Sequence, residues 1–324
     1  MTVWSWVLAL HILCAVVWVG GMFFAYIVLR PSLRSRVADA SYLVVIGLLA
    51  LAVGAASLFV FRPTGMAAMG NSGTGTDNMT TMPIAATAPA AKVAFATAPA
   101  VQPGVAVPLT FRVTDADTGQ AVNPAIGHEK AMHLIVVNRD LGYFAHIHPE
   151  NTGTPGEYRV EHAFPAAGDY VLYDEFELTG HGDEVHRFDL RVGDTGSPAA
   201  RLTPDLAPQT VAGYTATITP QGAIQAGQLS RFVVHITQNG APVTDLQPYL
   251  GAASHVVVLD AQAEGFTHVH GVAGEMGEMA DAPAQFGPDY AFSHTFAQPG
   301  LYKVWSQFAH NGQVLTVAWV VEVR

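Results

Sequence analysis

Two sets of three histidines share one spacing: His133, His146 and His148, then His255, His268 and His270, each a histidine, twelve intervening residues and a His-x-His. A neutral imidazole offers a lone pair to a transition metal near neutral pH, and clustered imidazoles are common protein ligands for copper and zinc. The chemistry such a set performs unaided is ligation. A zinc hydrolase would add an open coordination position and a placed carboxylate base. Glu150 and Glu157 follow the first set in no recognisable motif spacing, and the chain has no helical HExxH, phosphate loop or nucleophile elbow. Binding is therefore expected over catalysis, and no catalytic residue is assigned.

Strands must bring these residues together. MHLIVVNRDLGYFAHIH and SHVVVLDAQAEGFTHVHG each read as a β-hairpin, with a β-branched apolar run, a polar or glycine-containing turn and the HxH strand. Folding the first so that Asn138 faces Tyr143 sets His133 opposite His148, and His146 lies two residues away on the same face. The second hairpin gathers His255, His270 and His268 in the same way. Each repeat is thus expected to hold about one copper ion, with zinc as the lesser alternative.

The hairpins sit within longer repeats. Two strand patterns and a turn precede each one, so that Phe111 aligns with Phe232, Val113 with Val234 and Gly119 with Gly240. After them EHAFPAAGDYVLYDEF aligns with SHTFAQPGLYKVWSQF, and an alternating strand closes each unit. Short strands between turn signals predict a mainly β chain of two tandem immunoglobulin-like or cupredoxin-like sandwiches, over 89–193 and 209–324, with a linker at 194–208. The copies differ beside their hairpins. GVAGEMGEMADAPAQ brings Met276 and Met279 into the second, and LTGHGDEVHRF brings His181 and His186 into the first, as secondary metal ligands.

The chain has 324 residues, 50% hydrophobic and 13% charged, with a net charge of −11. That charge argues against nucleic acid or anionic lipid headgroups as partners and favours a cation. Of 14 histidines all but His11 lie beyond residue 62. The sole cysteine, Cys14, excludes an intrachain disulfide, a zinc site built from several cysteines, and a thiolate-ligated blue-copper centre in the β region.

Residues 1–62 read as a transmembrane hairpin, with apolar spans at about 3–29 and 41–61. Arg30, Arg34 and Arg36 in the intervening loop mark it as cytoplasmic, which puts both termini and the sandwiches on the periplasmic or extracellular side of the cytoplasmic membrane. The first span is too long for a cleaved signal peptide. Residues 63–88 form a flexible tether carrying two MxxM pairs, Met66 with Met69 and Met79 with Met82, whose thioethers suit Cu(I).

HILCAVVWVGG, with His11, Trp18, Gly20 and Gly21, resembles the first helix of the copper-resistance protein D membrane family, which implies that His11 could hold haem or a metal. FRVTDADTGQAV resembles the start of a YtkA-type domain. PYLGAASHVVVLD, FTHVHG and PGLYKVWSQF resemble a module of bacterial exported proteins linked to heavy-metal handling. The G-x-Y at Gly168–Tyr170 and Gly300–Tyr302 resembles the tyrosine corner of immunoglobulin-like sandwiches. Together these imply a membrane-anchored exported protein that captures or passes copper, with an envelope metal-transport protein as partner. The alternative is a non-enzymatic immunoglobulin-like scaffold of the cell envelope without a bound metal.

Overall fold

The computed structural model describes residues 89–274 and 282–324. The expected spans at 3–29 and 41–61, His11, the tether at 63–88, and Met276 and Met279 lie outside the described residues. No helix among the described residues is long and apolar enough to cross a membrane. The described chain is all β strand and loop.

The first repeat contains β1 (Ala91–Ala96), β2 (Ala106–Asp115), β3 (His133–Asn138), β4 (Phe144–Ile147), β5 (Glu150–Asn151), β6 (Glu157–Ala163), β7 (Gly168–Leu178) and β8 (Gly182–Val192). They form two four-stranded sheets, ordered β1-β2-β6-β5 and β4-β3-β7-β8, stacked as a sandwich. Alternation along β2 sends Leu109, Phe111 and Val113 into the space between the sheets, where they meet Leu134 and Val136 of β3 and Tyr170, Leu172 and Phe176 of β7.

The second repeat contains β9 (Gln209–Val211), β10 (Tyr214–Pro220), β11 (Leu229–Gln238), β12 (Ala241–Pro242), β13 (Ser254–Asp260), β14 (Phe266–Ala273), β15 (Asp289–Thr295), β16 (Gly300–His310) and β17 (Gln313–Val323). Here β14 pairs with both β13 and β15, so the order β17-β16-β13-β14-β15-β11-β10-β9 runs continuously around the core, with β12 beside β11. Gly271 is where that strand turns from one sheet to the other. A Cβ at this position would sit 2.1 Å from Ser254 Oγ and 3.3 Å from the Ala291 carbonyl, so any other residue would have to displace Ser254. Phe232, Val234, Val256, Val258, Val304, Phe308 and Trp319 fill the interior.

Both G-x-Y corners are built alike. The Tyr170 hydroxyl donates to the Ala166 carbonyl and the Tyr302 hydroxyl to the Gln298 carbonyl, each at 2.9 Å. Gly119 and Gly240 both take a left-handed φ, 69° and 80°, in the turns after β2 and β11.

Asp205 of the inter-repeat segment bridges to Val320 of β17, and Ala200 and Leu202 pack beneath the joint between the sandwiches. That joint explains the unbroken apolar runs of β3 and β13. Leu134 and Val136 point inward, while Ile135 and Val137 point outward and are also fully buried. They meet Val257, Leu259, Phe266 and Trp305 of the second repeat in a separate apolar cluster. Strands covered on both faces lose polar alternation. Phe144 stacks on Trp305 with ring centroids 5.1 Å apart, and Phe266 stacks on Tyr173 at 4.5 Å. These pairs are related by a pseudo-two-fold axis, since Phe144 aligns with Phe266 and Tyr173 with Trp305. The turn residues Leu141 and Ala263, with left-handed φ of 56° and 55°, are buried at equivalent places in the joint. Tyr173 and Trp305 thus belong to the packing between repeats.

Candidate metal centre

Hairpin register sets the first part of the site. Ile135 pairs with His146 and Leu134 with Ile147, while His255 pairs with His270 and Val257 with His268. All six histidines consequently share a strand face with Ile135, Val137, Val257 and Leu259, the face that each sandwich turns to the other. The two expected triads therefore meet as one cluster. Ring centroids of His146 lie 5.5 Å from His255 and 5.2 Å from His268, and those of His133 lie 6.2 Å and 5.7 Å from the same two rings.

Four rings form its centre. His133 Nδ1 lies 3.0 Å from His146 Nε2, and His255 Nδ1 lies 3.0 Å from His268 Nε2. The other nitrogen of each ring faces an oxygen: His133 Nε2 the Gly127 carbonyl at 3.3 Å, His255 Nε2 the Tyr249 carbonyl at 2.9 Å, His146 Nδ1 Gln307 Oε1 at 2.8 Å, and His268 Nδ1 Glu175 Oε2 at 2.5 Å. Gln307 also donates from Nε2 to Thr316 Oγ1 at 3.1 Å, which fixes its oxygen toward His146. The last two contacts cross the joint, each histidine being held by the opposite sandwich.

These outer oxygens can only accept, so the neutral tautomers that satisfy them carry hydrogen on the outer nitrogens. With those tautomers the inner nitrogens present lone pairs to each other across 3.0 Å, an arrangement that a shared metal ion or a proton relieves. Between His133 and His146 a proton is disfavoured. Burial, assisted by neighbouring imidazoles, pushes His133 down to about 4 and His146 well below the ordinary histidine range. A metal ion fits the spacing, since two nitrogens each about 2.0–2.1 Å from one ion at right-angled to tetrahedral geometry are separated by about 2.8–3.4 Å. Fixing of ligand rings through their outer N–H is the usual second layer of a histidine metal site.

Nitrogens within 4.8 Å of one another form two triples, His133–His146–His148 and His146–His255–His268. The first is one of the expected sets. The second crosses the joint, takes His146 from the first repeat, and leaves out His270. His270 is instead covered by His128, whose ring centroid is 3.6 Å away with planes 30° apart. Both nitrogens of His270 and Nε2 of His148 are buried without a partner. Burial pushes His148 to about 3 and His270 to about 2, which keeps both rings neutral at physiological pH and free to ligate.

His181 and His186 lie elsewhere. His186 stacks on Phe176 and sits 3.0 Å from Glu184, whose carboxylate also accepts the backbone N–H groups of Ala90 and Ala91. His181 is exposed in the turn before β8. Neither belongs to a converging group of three or more ligands among the described residues. Glu157 is engaged by Thr152 and Arg112, and Glu150 is exposed in β5.

Sequence reasoning did not single out His128, Glu175, Gln307 or Tyr249. Glu175 and Gln307 occupy matching places, opposite His133 and His255 in β7 and β16. A polar residue aligned in both copies and followed directly by a core phenylalanine, Phe176 or Phe308, was the available signal.

Fold and centre together define a class: a tandem β-sandwich protein whose two halves meet at a histidine cluster. The chain belongs to the family described as a domain of unknown function, DUF8832, whose model matches it twice, at residues 86–194 and 209–324. No curated protein matches the chain. Among solved structures it is similar to a tetra-tandem repeat from the extending region of a large adhesion protein, at 11% identity over 72% of this chain and 49% of that one, with a TM-score of 0.25. It is also similar to native E. coli alpha-2-macroglobulin (15% identity, 72% and 14% of the chains, TM-score 0.24) and to fibronectin(III)-like modules of Clostridium thermocellum CbhA (10%, 72% and 94%, TM-score 0.19). The chain spans about half the length of the adhesion-protein repeat and a small part of the macroglobulin, and likeness this distant has no functional meaning.

Proposed function

We propose that the chain is a copper-binding protein of the cell envelope, anchored by its N-terminal hairpin, with two immunoglobulin-like sandwiches outside the cytoplasm that hold the ion between them. The observation that carries this reading is the set of four central imidazoles whose outer nitrogens rest on oxygen acceptors and whose inner nitrogens converge in pairs at 3.0 Å. An all-imidazole set suits copper first and zinc second. The net charge of −11 draws cations toward the protein, and the resemblances of the hairpin and G-x-Y segments to heavy-metal-handling modules agree. The role is capture and transfer, with an envelope metal-transport protein as partner and no chemical step.

On this reading the two repeats share one ion, where one per repeat was expected. His146 belongs to both triples, so the two sets compete for that ring and one tightly held ion per chain is expected. Copper loading of the purified full-length chain, followed by mass spectrometric metal analysis, should give one equivalent that survives gel filtration. His146→Ala should lose it. Absence of a retained metal in the wild-type chain would refute the reading and leave the scaffold alternative, which the apolar joint alone could serve.

A further inference from the structure

The four central rings are enclosed: His133, His146 and His255 are buried, and the His268 side chain is 1% exposed. An ion reaching them must shed its water for imidazole, one ligand at a time, along some route. His128 stands where such a route would begin. It is exposed, on the loop that precedes β3, and its ring lies against that of His270 and 6.0 Å from that of His255. His270 in turn is 4.9 Å from His268 by ring centroid and has both nitrogens buried without a partner. The series His128, His270, His268 thus runs from solvent to the centre.

The loop does not require histidine at this place. Its counterpart in the second repeat, Leu250, has the same left-handed turn, φ 49° against 47° for His128. Leucine satisfies the backbone there and is itself buried. An imidazole at 128 is therefore a choice that local folding leaves unexplained. Glu129 follows with φ 64°, so two consecutive side-chain-bearing residues hold the left-handed region and set the ring over His270.

We propose that His128 and His270 form the exchange port of the centre, through which copper enters and leaves by stepwise imidazole substitution. This rests on the metal reading above and adds a route to it. A port lowers the barrier in both directions and leaves the equilibrium alone.

The test uses the full-length chain, Cu(II) salt and excess EDTA as acceptor, with loading and release followed by stopped-flow absorbance. In His128→Leu, which copies the residue of the second repeat, both rates should fall at least tenfold. Stoichiometry and Kd should stay within twofold of wild type. His181→Ala, an exposed histidine elsewhere, should leave both rates unchanged. Rates within twofold of wild type in His128→Leu overturn the port. So does a tenfold loss of affinity, which would make His128 a resident ligand, and so does equal slowing in His181→Ala. A wild-type chain that binds no copper would instead overturn the metal reading itself.

Discussion

Glu175→Gln isolates the one charged group among the four oxygen contacts of the central rings. His268 Nδ1 meets the Glu175 carboxylate at 2.5 Å, while the pseudo-symmetric His146 Nδ1 meets the Gln307 carboxamide at 2.8 Å. The substitution gives both sides the same partner. It keeps an acceptor in place, and the Gln307 side demonstrates that glutamine fits beneath a histidine there. What is lost is the negative charge that makes a metal-bound imidazole a stronger donor. Removing such an outer partner costs about 10–100-fold in metal affinity, roughly 1.4–2.7 kcal/mol. Competitive titration of Cu(II) between the full-length chain and a chelator of known affinity measures it. The expected outcome is a weaker Kd in that range with one equivalent still bound. The converse change, Gln307→Glu, should tighten binding. An unchanged Kd in Glu175→Gln, with wild-type binding intact, would refute the assignment of His268 as a carboxylate-supported ligand.

Two further outcomes concern stability. Asp174 is fully buried in the first sandwich with neither carboxylate oxygen bonded, and burial, then the nearby Glu175, raises its pKa well above the usual range. The aligned Ser306 instead bonds the Tyr290 hydroxyl at 2.8 Å. Asp174→Ser should therefore stabilise the protein by about 1–3 kcal/mol at pH 7 in urea unfolding. Because the folded state holds this proton more tightly than the unfolded state, the wild-type chain is best placed below the unfolded carboxylate value and loses stability as pH rises, so the advantage of the variant should shrink in acid. An advantage that grew in acid would contradict this. His294 has the opposite sign. Burial pushes it down to about 4, and its Nδ1 has no partner. Its contribution is intact above about 6.5 and is lost as pH falls toward 4, up to about 3 kcal/mol. His294→Leu should flatten the stability profile between pH 7 and 4.5, and a slope equal to that of wild type would show that His294 charges freely in the fold.

The β class and the hairpin registers were legible because both follow from period-two patterning and turn chemistry, which are local. The centre was legible only in halves. Ile135 and Val137 make the second face of β3 apolar as well, but nothing in LIVV names the surface that covers it. Only docking of the sandwiches reveals that His146 reaches Gln307, that His268 reaches Glu175, and that a triple combines His146 with His255 and His268. His128 escaped notice for a related reason, since its partner His270 is remote in sequence and its own counterpart is leucine. The secondary pair His181 and His186 shows the converse. Proximity in sequence suggested cooperation, yet His186 stacks on Phe176 and contacts Glu184, while His181 stays exposed on the turn.

The pseudo-two-fold joint carries one more consequence. A pair of identical single-repeat chains, meeting through the same face, would have to place the same side chain on both sides of the axis. Covalent duplication removes that obligation. This chain has glutamate opposite glutamine and an exposed histidine opposite a buried leucine, so the field around the histidine cluster is lopsided and so is its access. On the copper reading, an ion in a symmetric dimer would have no preferred side, whereas one held here would have a front and a back, the difference that a carrier needs to accept and deliver cargo in one orientation.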